Sequence, residues 1–339
     1  MLEDILKFLT DRTGLPFSRS HYRNLVFKGG GVRGIAYMGA LEILEEEGII
    51  RNIELVAGTS SGAIAATLVS FRRPVDDTIR IFDSLDLNKV PQNGSEVHEG
   101  GFKFLPLKNT DSYRRIFERY GWYSSEYFYH WLEEVIASQC GGNRRATFND
   151  FRRRGFRDLH IIASNLSRRR AEDFSYDTTP NVAVADAVRM SMSIPLYFEA
   201  LRFDGQNFDQ GDYYVDGGVY NNYPIHLFDQ ENYVQNKRYF RGGVNWETLG
   251  LFLIPDALEC EVEPEYPDSI WEFMSLTIQS IYDSHQLSNI GQNLVDKQRT
   301  VLINDCGVAS VKFNVEPQSP EYQTLYKSGR SAVQDFLKK

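Results

Sequence analysis

Three short stretches of this sequence hold residues whose types and spacing could do chemistry. The first is Gly58-Thr59-Ser60-Ser61-Gly62. A G-x-S-x-G pattern puts a serine on a tight strand-to-helix turn, with its hydroxyl pushed out at the carboxyl end of the strand. Gly58 and Gly62 frame it because a side chain at either place would clash with neighbouring backbone. The helix that follows offers a partial positive charge to a developing oxyanion. Ser61 competes for the role, but the glycine frame singles out Ser60. The pattern alone is short enough to arise by chance. Its position between the β-rich "IELV" and the helical "AIAATLV" gives it weight.

The second stretch, "FKGGGVRGIAYMGAL", contains Gly29, Gly31 and Gly34 in the spacing G-x-G-x-x-G. That spacing also marks a dinucleotide-binding turn, which needs an acidic residue at the far end of the second strand. Glu54 lies 20 residues after Gly34 but falls near the start of that strand, and the serine turn occupies its end. A P-loop is less well supported still, because no G-K-[ST] follows the glycines. Two glycine turns at the carboxyl ends of consecutive parallel strands would lie side by side. One then presents a nucleophile, and the other a row of amide N–H groups suited to an oxyanion.

The third stretch, "YYVDGGVYNNYP", sends an apolar strand into Asp216-Gly217-Gly218. Read alone, this is an Asp-Gly turn after a strand. As a base for Ser60, the carboxylate would have to be partly desolvated, because an exposed aspartate titrates near 3.9. The histidines are less suggestive. His21, His98, His130 and His160 precede or lie outside any site loop, and His226 and His285 sit in helical segments without a glycine turn.

The elements that must position these residues alternate strand and helix, the opening of a parallel α/β sheet. "NLVF" (24–27) and a run from about Ile53 read as strands. The helix from Ile35 stops near Gly48, and another starts near Ser61. Further strands are expected at 159–165, 170–175, 213–217, 249–255 and 300–305, and helices at 182–193, 268–297 and 319–337. In the helix at 268–297, His285 continues the apolar stripe of Trp271, Met274, Ile278 and Ile281, which suits packing better than catalysis. Residues 1–21 read as an N-terminal segment, with an amphipathic helix over 1–13. Residues 22–339 read as one domain, interrupted by an insertion over 72–157. That insertion is dense in aromatics between Phe104 and Tyr129, consistent with an aromatic helix pair or with a cap over a site for an apolar substrate.

The chain has 339 residues, a net charge of -9, and 42% hydrophobic and 24% charged residues, an ordinary globular composition. The negative charge argues against a general nucleic-acid binder. The basic runs "RRRGFR" (152–157) and "SRRRAED" (167–173) suit a solvated face or an anionic lipid surface. Cys140, Cys260 and Cys306 read as free thiols. The N-terminus lacks a secretory pattern, and no apolar run reaches membrane-span length. The expected location is therefore cytoplasmic and peripheral to membranes, although specialised secretion leaves no readable mark.

In order, "GGGVRG" (29–34), "GTSSG" (58–62) and "DGG" (216–218) resemble the pattern of the patatin-like phospholipase family. "DAVRMSMSIPLYF" (186–198) is similar to the helix and proline turn the family carries between elbow and aspartate. The resemblance spans about residues 22–226 and implies a three-layer α/β fold, with a mostly parallel central sheet flanked by helices. It implies Ser60 as nucleophile and Asp216 as base in a Ser–Asp dyad. The amides of Gly30, Gly31 and Val32 would form an oxyanion hole, Gly29 and Gly34 would shape the loop, and Gly217 and Gly218 would support the aspartate. Arg33 fills the family's basic position, either orienting the loop or meeting a lipid phosphate. The implied reaction is hydrolysis of fatty-acyl esters of membrane phospholipids through an acyl-enzyme, without metal or cofactor. Two alternatives stand beside it: a Ser–His–Asp carboxylesterase using His226 or His285, and a catalytically silent module with a patatin fold.

Overall fold

The computed structural model describes residues 21–92, 110–255 and 294–338, together with four positions between 273 and 280. The expected N-terminal helix and most of the helix at 268–297, including His285 and its stripe, lie outside the described residues.

β1 (Asn24–Phe27) is buried throughout, as a short strand covered on both faces must be. The glycine loop winds into a 3-10 turn over Gly31–Gly34 and passes into α1 (Ile35–Glu46). That helix ends where Gly48 takes φ +70°. β2 (Leu55–Thr59) and α2 (Ser61–Ser70) follow, both wholly buried, with Ser60 alone between them. The inserted segment contributes α3 (Val75–Asp83), α4 (Thr110–Arg119), β3 (Gly121–Tyr123), α5 (Glu126–Gln139) and α6 (Phe148–Arg153). Thr147 opens α6 with a capping box, exchanging hydrogen bonds with Asp150. Then come β4 (Asp158–Asn165), β5 (Arg170–Ser175), α7 (Val184–Ser191), β6 (Leu196–Phe198), β7 (Leu201–Phe203) and β8 (Asp212–Asp216). The chain closes through the short α8 (Gly218–Asn221), β9 (Phe240–Arg241), β10 (Val244–Asn245), β11 (Thr248–Ile254), α9 (Leu294–Gln298), β12 (Thr300–Asn304) and α10 (Pro320–Lys338).

The central sheet runs β12-β11-β1-β2-β4-β8-β7, with β5 also paired to β4. From β12 to β4 every neighbour is parallel, whereas β5, β8 and β7 join antiparallel. Strand alternation sends Leu25 and Phe27 into the larger apolar core, and Val26 into a smaller one with Tyr223, Ile225 and Phe252. Helices α1, α2 and α10 cover the larger side, and α10 crosses α1 closely enough that a Cβ on Gly329 would fall 1.8 Å from the Ala36 carbonyl oxygen.

The aromatics of the inserted segment divide. Trp122, Phe128, Tyr129, Phe148 and Phe151 are buried, the last four in the larger core, while Phe117 and Tyr120 are exposed. β3 pairs in parallel with β6, tying the insertion to the turn that follows α7. Among the described residues no helix is long and apolar enough to cross a membrane.

Candidate active site

The edge pairing of one strand decides where Ser60 and Asp216 meet. β5 takes one edge of β4 over His160–Asn165, so β2 and β8 share the other. β2 runs along it until Thr59 faces Ile162; β8 arrives from the opposite direction and ends where Asp216 faces Ala163. The carboxyl ends of the two strands therefore meet head-on at consecutive residues of β4, with Ser60 in the next position of one and Asp216 in the last of the other.

Ser60 has φ 55° and ψ -126°, a backbone region that non-glycine residues rarely enter. Such strain persists only when the surroundings over-determine it. The surroundings here are backbone: a Cβ on Gly58 would lie 2.1 Å from the Gly62 carbonyl oxygen, and one on Gly62 would lie 2.5 Å from that of Phe27. The Ser60 side chain makes no capping bond to α2, leaving its hydroxyl available. The Ser60 N–H donates to Ser191 Oγ at 2.9 Å.

Asp216 is wholly buried. Its Oδ1 accepts the Gly218 N–H at 2.7 Å, and Oδ2 is buried without a well-formed hydrogen bond. Burial pushes the carboxyl up to about 7, against the smaller opposing pull of the Ser60 hydroxyl and the Gly218 amide. The Ser60 hydroxyl favours the ionised carboxylate, yet no aligned hydrogen bond joins the pair. Gly217 fits because a Cβ there would fall 2.2 Å from the Ile162 carbonyl oxygen.

The glycine loop lies against this pair, since a Cβ on Gly29 would come within 3.1 Å of the Ser60 Cβ. One on Gly34 would sit 3.0 Å from the Ser61 Cβ. The expected trio of oxyanion amides is narrowed. The Gly30 N–H donates to Ser61 Oγ at 3.0 Å, and the Val32 N–H to the Ser310 carbonyl at 3.0 Å. The amides of Gly29 and Arg33 are taken too, by the carbonyls of Asn222 and Gly30. Of the expected trio, that leaves Gly31, at φ +59°, whose amide has no acceptor among the described residues outside its own turn. Ser61 and Gly62 open α2 and have no intrahelical acceptor for their amides either.

Arg33 is buried and committed inward. Its Nη1 donates to Asp305 Oδ2 at 2.5 Å and its Nε to the Gly30 carbonyl at 3.1 Å. It therefore orients the loop rather than meeting a lipid phosphate. In the two basic runs, Arg157 donates to the carbonyls of Ile50, Ile53 and Val69, and Arg152, Arg153, Arg168 and Arg170 pair with carboxylates.

Among the described residues no histidine hydrogen-bonds to Ser60 or Asp216. His226 Nε2 lies 2.5 Å from Asp296 Oδ2 on an exposed side chain, and His160 is buried against Asp173. No cluster of His, Cys, Asp and Glu among the described residues could hold a metal. Sequence reasoning missed Asn222, Asp305 and Ser310, which hold the glycine loop. Asn222 stood in the quoted "YNNYP" beside the aspartate, but the other two are separated from the loop by more than 270 residues, and no local pattern marks them.

A patatin-like phospholipase family model matches residues 25–229. The uncharacterized protein YqhO of Bacillus subtilis strain 168 is 29% identical over 324 residues, 94% of this chain and 98% of that protein. The probable lipid hydrolase 463L of Invertebrate iridescent virus 6 is 28% identical over 241 residues, 68% of this chain and 73% of that protein. Among solved structures, VipD from Legionella pneumophila aligns at TM-score 0.55 and 18% identity, over 94% of this chain and 67% of that one. This last likeness speaks for the fold.

Proposed function

The chain belongs to the patatin-like phospholipase family through residues 25–229, and from that premise we propose that it hydrolyses fatty-acyl esters of glycerophospholipids with Ser60 and Asp216. The carrying observation is the head-on meeting of β2 and β8 along β4, which brings a strained serine and a desolvated carboxylate to one point. The iridescent-virus relative, a probable lipid hydrolase, supports the choice of lipid substrate.

On this reading Asp216 Oδ2 takes the Ser60 proton as Oγ attacks the acyl carbonyl. The oxyanion of the tetrahedral intermediate is met by the Gly31 amide and the first amides of α2. Such preorganised donors, aimed where charge develops, are each worth about 2.7–4 kcal/mol in comparable sites. Collapse breaks the ester, and the leaving alkoxide takes the proton from Asp216. Water then attacks the acyl-enzyme, giving a proton to Asp216; as the second intermediate collapses and releases the fatty acid, Ser60 Oγ takes that proton back, restoring the free serine and the ionised carboxylate. Residues 22–339 act as one catalytic domain, with 72–157 as its helical insertion. Phospholipid vesicles are the substrate surface, and no nucleic acid or cofactor enters the scheme.

Free fatty acid released from mixed phospholipid vesicles tests this. The wild-type protein should release it and Ser60→Ala should not. Equal release by both would remove Ser60 from the reaction, and no release by either would favour the silent-module reading.

A further inference from the structure

The turn that ends α7 touches both arms of the site. Ser191 is fully buried, and its hydroxyl makes two bonds at once. It accepts the Ser60 N–H at 2.9 Å and donates to the Ile162 carbonyl at 2.6 Å. Its main-chain carbonyl accepts the Gly217 N–H at 3.2 Å, and the Ser193 carbonyl, two residues on, accepts the Asp216 N–H at 2.7 Å. Ile162 is the residue of β4 that faces Thr59, and the next residue, Ala163, faces Asp216. Ser191 is therefore anchored where β2 gives way to β8.

We infer that Ser191 is a positioning residue that sets the separation of Ser60 and Asp216: its hydroxyl fixes the serine elbow, and its carbonyl fixes the aspartate loop. The inference rests on the proposed roles of those two residues. Ser191 itself is too buried to meet substrate. Its side chain must accept and donate simultaneously, which a hydroxyl does well, a thiol weakly and a methyl not at all. Without it the Ser60 amide and the Ile162 carbonyl would be orphaned in the interior, where buried backbone groups are almost always paired. The strained elbow would then relax and carry Oγ away from the carboxylate. A displacement of about 1 Å at a reacting group can cost about a hundredfold in rate.

Fluorophosphonate labelling and hydrolysis of a short-chain nitrophenyl ester, each with a thermal melt, compare Ser191→Ala, Ser191→Cys and Ser191→Thr with wild type. Ser191→Ala should label about a hundredfold more slowly, with kcat down in proportion and KM within about twofold. Ser191→Thr should stay within about threefold of wild type, and Ser191→Cys should fall between. A purely structural role would instead lower the melt and leave labelling of the folded fraction intact. Wild-type labelling rates in a folded Ser191→Ala would overturn the inference. If that variant does not fold, Thr and Cys decide: Thr clearly faster supports the inference, and Thr no faster overturns it. A wild-type protein that is itself unlabelled at Ser60 would instead sink the parent reading.

Discussion

Asp216 has no exposed surface and a carboxyl pushed up to about 7, so activity and stability should answer pH in opposite directions. As the proposed base it would work only when ionised, so turnover should rise with pH through about 7. Stability runs the other way. The folded carboxyl holds its proton more tightly than the unfolded one, which titrates near 3.9. The stabilisation is fully present below that value and is lost as pH rises through about 7, on the order of 4 kcal/mol in all. Asp216→Asn should therefore be inactive yet melt above wild type at pH 8, with the gap closing towards pH 4. A variant that melts lower at every pH would show that the ionised carboxylate holds the site together. At this scale much of the site was legible in the sequence. Glycines mark Ser60 and Asp216 because both stand where backbone crowds backbone. Ser191 lay within the quoted "RMSMSIP" but carried no signal of its own, since one buried serine looks like any other until its two partners are known.

Among the elements, the junction of β2 and α2 is the most demanding. Gly58→Ala or Gly62→Ala would drive a Cβ to 2.1 or 2.5 Å from a carbonyl oxygen. Either should cost about 2–3 kcal/mol in urea unfolding and abolish labelling, because the elbow must open to make room. Wild-type stability for either would mean the turn is looser than it looks. The strands of the parallel half were readable because buried parallel strands are continuous apolar runs, as in "NLVF" and "TLGLFLI". The three-residue β3, β6 and β7 were not, since three residues cannot establish a period. The head-on meeting of β2 and β8 was equally hidden. It depends on which edge of β4 each strand takes, a choice made by tertiary packing rather than by either strand's own residues.

Across the whole molecule, the C-terminal third completes a site whose family motifs all lie before residue 230. Asp305 binds Arg33 across 272 residues of sequence, and the Ser310 carbonyl takes the Val32 amide. Asp305→Ala would strand a buried guanidinium, a loss of about 3–5 kcal/mol in denaturant titration, and should slow labelling by loosening the glycine loop. An unchanged midpoint would separate the C-terminal segment from the site. Gly329→Val would press α10 off α1 and should lower the melt of the entire domain in one transition. Sequence patterns reveal contacts between neighbours along the chain; these contacts join its ends, and the C-terminal third accordingly looked featureless.

The pairing of Ser60 with Asp216 is tested most directly by intact-protein mass spectrometry and peptide mapping after fluorophosphonate treatment, timed at several pH values. The wild-type protein should gain one adduct, mapped to Ser60, at a rate that climbs through about pH 7. Ser60→Ala should gain none, and Asp216→Asn should label far more slowly with that climb abolished. An adduct on another residue, or an Asp216→Asn protein that labels at the wild-type rate with the same pH dependence, would contradict the account.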